Sequence, residues 1–237
     1  MTHVNRRPSG LRQNQASTAT GPDTMQTLRI LREEHRTLAA VLHGLLFLVR
    51  EIRAGRAAPD FRLLGVMLYY IDTFPERFHH PKEDAYLFRL LRLRSQTART
   101  LLDRLESEHR AGASKILHLS QALTRYQHGG ELQFHAFEAM AEAYAAFEFA
   151  HMRLEETEVL PLAEKCLTTA DWAEIDRAFL DHDDPLFGSG ACDQFREVFR
   201  RIVNLAPPPI GVGPESSPPL TTPDRRASGM TLIGTAI

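Results

Sequence analysis

At 237 residues, 43% of them apolar, the chain can fold one medium domain with a real core. Its net charge of −2, from 28 Lys and Arg against 30 Asp and Glu, leaves no basic footprint for nucleic acid. Apolar stretches such as Leu45 to Val49 fall far short of the ~20 residues a membrane span needs, so no membrane partner is expected. Cys166 and Cys192 form no Cys-x-x-Cys unit and no disulfide framework, which points to a reducing, cytoplasmic setting.

In chain order, residues 1–23 mix Ser, Thr, Gln, Asn, Arg and Gly without the apolar stretch of a secretory signal, and read as a disordered tail. From 24 to 167, long amphipathic runs are broken by polar joints at 54–60, 93–95 and 127–131. This is the plan of an all-α, up-down-up-down four-helix bundle. Residues 168–205 read as a helical extension. Thr169 caps a short helix to about Asp181, Asp183-Asp184-Pro185 makes a turn, and a last amphipathic helix carries Phe195, Val198, Phe199, Ile202 and Val203. That stripe is expected to cover the bundle, leaving a monomer or a weak homodimer. Residues 206–237 hold seven of the 14 prolines and read as a second disordered tail.

The first run places Leu28, Leu31, His35, Leu38, Leu42, Leu45, Val49 and Ile52 at three-four spacing, a bundle seam whose one polar member is a histidine. The third repeats the pattern with Ala98, Leu102, Leu105, His109, Gly112, Ile116, Leu119 and Leu123. The fourth carries Phe137, Met140, Tyr144, Phe147 and His151, then Glu155 one turn on. The second, interrupted by Pro75 and Pro81, leads from Leu64, Leu68 and Ile71 to His79, Glu83 and Leu87. Two segments therefore share one form, His79-x-x-x-Glu83-Asp84 and His151-x-x-x-Glu155-Glu156. Residues four apart in a helix stand on one face, where an imidazole and a carboxylate can reach a single ion together.

Register strengthens the case. Counted from the joints at ~1.5 Å per residue, His35, His79, His109 and His151 fall at the same height to within about a turn, so all four should lie in one layer of an antiparallel bundle. A lone His-x-x-x-Glu pair is ordinarily a solvated surface pair, and a lone seam histidine ordinarily bonds a neighbour. Burying four imidazoles and two carboxylates in one layer without a cation would cost several kcal/mol for each unpaired charge. A metal resolves that conflict. Imidazole and carboxylate without thiolate suit iron or manganese, and two carboxylates among four histidines suit a bridged pair of ions; iron is the expectation, and the donor set does not exclude zinc.

These residues resemble the hemerythrin family in its bacterial HHE form, over residues 28 to 163. The resemblance implies a non-haem di-iron site in which His35 and His79 hold one iron and His109 and His151 the other. Glu83 and Glu155 would bridge them beside an oxo or hydroxo group. It implies binding of a small diatomic ligand, O₂ or NO, for storage, delivery or sensing. The alternative is a di-iron protein that turns over peroxide or O₂, or donates iron for repair of damaged centres. The oxygen carriers add a second histidine one turn from the first on the third helix. Here Leu105 and Ala113 occupy those places, which leaves an open position on both irons unless Glu106 ligates. His80, one residue out of register, is expected to point about 100° from the layer with Asp84, either behind the ligands or on the surface. His43 and His118 read as half-exposed, Tyr144 as core, and Gly112 as room beneath His109.

Overall fold

The computed structural model describes residues 25–180 and 189–213, and among these every regular element is helical. Helix α1 is Met25–Arg53. Helix α2 runs continuously over 61–94, from Phe61–Phe74 through π-helical turns at Pro75–His79 and Glu83–Phe88 to Arg89–Arg94. Helix α3 is Arg99–Gly129, and α4 spans 134–166 with a π-helical turn at Glu155–Val159. Two further helices, α5 (Thr169–Leu180) and α6 (Ser189–Leu205), follow. Consecutive long helices pack together and α1 closes the ring against α4, as expected for an up-down-up-down bundle.

The joints carry the signals that stop and start helices. Asp60 accepts from the Arg62 and Leu63 amides at 3.0 Å each and so caps α2. Gly130, at φ +66°, ends α3 in a conformation that side chains with a Cβ rarely adopt. The cap of α5 is Thr168, not the expected Thr169. Its Oγ1 accepts from the Asp171 amide at 3.2 Å while the Asp171 carboxylate accepts from the Thr168 amide at 2.8 Å, a reciprocal capping box. Arg94 donates through Nε and Nη2 to the same carboxylate at 2.8 Å each, which ties the end of α2 to α5.

Two apolar cores lie on either side of a polar layer. One gathers Leu38, Leu42, Leu45, Met67, Ile71, Ile116, Leu119, Phe137 and Tyr144; the other gathers Leu28, Leu31, Leu87, Phe88, Leu102, Leu105, Val159 and Trp172. The expected seams of α1 and α3 are buried throughout except Ile52, which is half-buried. Helix α6 covers the bundle as expected, with Val198, Phe199 and Ile202 packed on the first core and the Phe199 ring 6.2 Å from that of Tyr70. Residues 207–213 fold back so closely that a Cβ on Gly44 would lie 2.9 Å from Ile210 Cγ2. The Asp183-Asp184-Pro185 turn, residues 1–24 and residues 214–237 lie outside the described residues.

Candidate metal centre

The layer between the cores is built from side chains of all four long helices. His35 on α1, His79 and Glu83 on α2, His109 on α3, and His151 and Glu155 on α4 are all buried. The structure brings these six residues together. His35 Nε2 lies 3.1 Å from His79 Nε2, and His109 Nε2 lies 3.1 Å from His151 Nε2. Two nitrogens bound at a right angle to one ion, with bonds of about 2.1 Å, stand about this far apart.

The carboxylates span the two pairs. Glu155 Oε2 is 3.3 Å from His35 Nε2, while its Oε1 is 3.3 Å from His151 Nε2 and 3.7 Å from His109 Nε2. Glu83 Oε2 is 3.5 Å from His79 Nε2 and 3.7 Å from His109 Nε2. None of the four oxygens has a hydrogen-bond donor in good geometry, although all are buried. Buried carboxylate oxygens without donors are costly, and a cation is the group that would satisfy them. A metal therefore fits the donor set.

A fifth imidazole, which the helical wheel placed elsewhere, belongs to the layer. His80 is buried, and its ring stacks on His109 with centroids 4.0 Å apart. One ring nitrogen from each of His80, His109 and His151 lies within 4.8 Å of the other two; His35, His79, Glu83 and Glu155 form a second such group. The inward stripe of a bundle helix is at least about 100° wide, so adjacent residues can both face the interior. His79 addresses one group and His80 the other. Both lie where a π-helical turn meets the next segment, with the His80 amide bonded to the Pro75 carbonyl five residues back. The Leu160 amide reaches the Glu155 carbonyl in the same way on α4. Such wide turns cluster at functional sites.

Behind the imidazoles stands a ring of carboxylates that orients them. Glu156 accepts from His35 Nδ1 at 3.0 Å, Glu34 from His79 Nδ1 at 2.9 Å, Asp84 from His109 Nδ1 at 2.9 Å, and Glu108 from His151 Nδ1 at 3.0 Å. Each contact crosses from one helix to its neighbour, and each sets the proton on Nδ1 so that the Nε2 lone pair faces inward, free for a cation. Asp84 therefore serves His109 rather than accompanying His80. Glu106 pairs with Arg92 Nη2 at 2.8 Å and belongs to neither group of candidate ligands. Leu105 is buried in the second apolar core, while His43 and His118 are exposed, His43 stacking on Phe149.

Protons are shared unevenly across the layer. Burial opposes charge on His35, but the Glu155 carboxylate beside it and the hydrogen bond to Glu156 outweigh it and raise its pKa to about 9. Burial is likewise outweighed at His151, where Glu155 and Glu108 raise the pKa to about 9. His80, desolvated and beside the charges of His109, His79 and His151, is held well below the ordinary imidazole value. Burial and the Glu155 charge push Glu83 well up, whereas at Glu155 burial loses to His151, His109 and His35, which hold it well below the usual carboxylate range. Raised imidazoles beside a depressed Glu155 give the layer positive charge where the carboxylates converge.

The hemerythrin HHE cation-binding domain matches residues 26–163 of this chain. The chain belongs to that family. Among curated proteins none matches it. The matched segment contains all five buried imidazoles and both spanning carboxylates, so the HHE domain and the polar layer coincide. Among the described residues no helix is long and apolar enough to cross a membrane.

Proposed function

We propose that this chain is a cytoplasmic, non-haem di-iron protein that binds a small diatomic ligand, O₂ or NO, reversibly, for storage, delivery or sensing. The observation that carries the reading is the unequal division of five imidazoles about two spanning carboxylates: His35 and His79 on one side, His80, His109 and His151 on the other. With Glu83 and Glu155 shared, the three-imidazole side has one more protein donor than the two-imidazole side. Ligand exchange therefore belongs to the His35–His79 side. His80 supplies from α2 the fifth imidazole that the oxygen carriers place on the third helix, so the open position expected on both sides is reduced to one.

Two ferrous ions, when bound, supply the electrons for reversible O₂ binding. The chain's residues hold the ions at fixed spacing, keep the imidazoles in the Nδ1-protonated tautomer, and exclude water with the two apolar cores. Anaerobic loading with ferrous iron, elemental analysis, and optical titration with O₂, NO and peroxide test the reading. The expected result is two irons per chain and a reversible optical change with O₂ or NO. One iron or fewer at saturation would end the di-iron reading, and steady peroxide or O₂ consumption would replace binding by turnover.

A further inference from the structure

Beside the three-imidazole side lies a second set of polar groups, which leads inward to His80 and His151 of the ligand layer. On α2, Asp72, Glu76 and His80 follow at four-residue spacing and so share one face, passing from exposed Asp72 through half-buried Glu76 to buried His80. On α4, Tyr144, Glu148 and His151 descend at four- and then three-residue spacing, and all three are buried. The two stripes meet opposite Gly112 on α3. A Cβ placed there would lie 3.1 Å from Glu76 Oε1 and 3.6 Å from Glu148 Oε1, so both carboxylates turn toward space left by the missing side chain.

The groups around that space lack hydrogen bonds of good geometry. Both Glu148 oxygens, Glu76 Oε1, the Tyr144 hydroxyl and His80 Nδ1 are buried with no hydrogen bond of good geometry. His80 Nδ1 is 3.8 Å from Glu76 Oε1, too far for a bond. His80 Nδ1 thus differs from the Nδ1 atoms of His35, His79, His109 and His151, each of which a carboxylate holds. A pair of buried carboxylates from two helices, with a neutral imidazole nitrogen and a phenol beside them, is an oxygen-rich donor set for a hard divalent cation. With two carboxylates it holds a cation less firmly than the five-imidazole layer does.

We infer that Glu76 and Glu148, facing each other's helices across Gly112, form a second and weaker divalent-cation site through which ferrous iron passes from the Asp72 surface to the His80–His109–His151 group. The inference rests on the di-iron reading for its destination, but the site itself is defined by its own carboxylates. Asp72 at the surface attracts the cation, Glu76 takes it inward, Glu148 delivers it next to His151, and Gly112 keeps the path open.

The test uses the full chain, wild type against Glu148→Gln, Glu76→Gln and the double variant, each near-isosteric and checked by its helical circular dichroism. Metal-free protein is mixed anaerobically with ferrous iron, and the iron held is counted after quenching with a chelator at successive times. Protein saturated with tight ions is separately titrated with Mn²⁺. The inference requires loading about tenfold slower or more in the double variant with the tight-ion count unchanged, and a weak Mn²⁺ equivalent present in wild type and lost in Glu148→Gln. Gly112→Ala, which keeps every charge, should also slow loading. Wild-type loading rates and an undiminished weak equivalent in the double variant would overturn the inference. So would loss of a tight ion from Glu148→Gln, since the pair would then belong to the centre itself. Failure of the di-iron reading is seen separately, as fewer than two tight ions in wild type, while the wild-type minus Glu148→Gln difference in Mn²⁺ still reports on the second site.

Discussion

The two sides of the polar layer differ in how their imidazoles are supported. On the His35–His79 side each ring is held from behind by a carboxylate of a neighbouring helix, Glu156 or Glu34. On the other side His109 and His151 are held in the same way by Asp84 and Glu108, but the His80 ring, without a carboxylate hydrogen bond of its own, stacks on His109, meets His151 edge-on and lies beside Glu76. The comparison separates two means of fixing a ligand. A carboxylate behind the ring sets its tautomer and raises its basicity, while stacking sets only its place. His80 is thus a neutral, weakly basic imidazole completing a side already anchored by two stronger ones.

The largest effect should come from removing what the two sides share. Glu155 touches His35 with one oxygen and His109 and His151 with the other, so Glu155→Ala should reduce bound metal from two ions to one or none in elemental analysis. Glu83→Ala should do the same less completely, because a single oxygen of Glu83 reaches both sides. If both variants retain two ions, the carboxylates do not join the sides.

Next in size is the imidazole that distinguishes the sides. His35→Ala should cost the two-imidazole side its ion. His80→Ala should keep both ions and open the three-imidazole side, so that azide exchange followed by stopped-flow absorbance gains a second fast phase. Equal exchange in wild type and His80→Ala would remove the asymmetry.

Smaller effects are expected behind the rings. Glu34→Gln, Asp84→Asn, Glu108→Gln and Glu156→Gln should each weaken metal affinity by about 10–100-fold in competition with a chelator while leaving the ion count at saturation unchanged.

The smallest effect is on stability against pH. His35 and His151 have folded pKa values near 9, above the 6.5 of an unfolded imidazole, so the folded metal-free protein binds more protons between those values. Their contribution is complete below about pH 6.5 and is lost as pH rises through about 9. Glu76, pushed up to about 7 by burial and by Glu148, acts in the same direction between the ordinary carboxylate range and that value. Glu155 acts oppositely: its depressed pKa gives stability above the unfolded carboxylate value that is lost as pH falls through its lower folded one. The melting temperature of metal-free protein should therefore fall from pH 6.5 to 9.5, and that of loaded protein should not, since metal has displaced the protons. Parallel curves would place His35 and His151 outside the metal centre.

Much of this was legible in residue order. The three-four spacing of Leu28 to Val49 and of Ala98 to Leu123 identified the buried faces, and equal distances from the joints put four histidines at one height. The outer carboxylates also left a trace, because Glu34 precedes His35, Asp84 follows Glu83, Glu108 precedes His109 and Glu156 follows Glu155. Each residue expected to ligate from α1, from α3 or as a spanning carboxylate thus carries an acidic neighbour. That pattern says a carboxylate is near the layer, but not which ring it serves, since each one bonds a histidine on another helix.

Periodicity is a property of a single helix. It fixes the direction of a side chain about that helix's own axis, and so the seams and the two His-x-x-x-Glu pairs could be read from the order of residues alone. Where two helices approach, how they are rotated and how a wide turn resets the register depend on packing between segments far apart in the chain. Tertiary structure therefore decided that His80 joins His109 and His151, that Glu106 turns to Arg92, and that Glu76 and Glu148 meet at Gly112, because each is a distance between helices that no spacing within one helix contains.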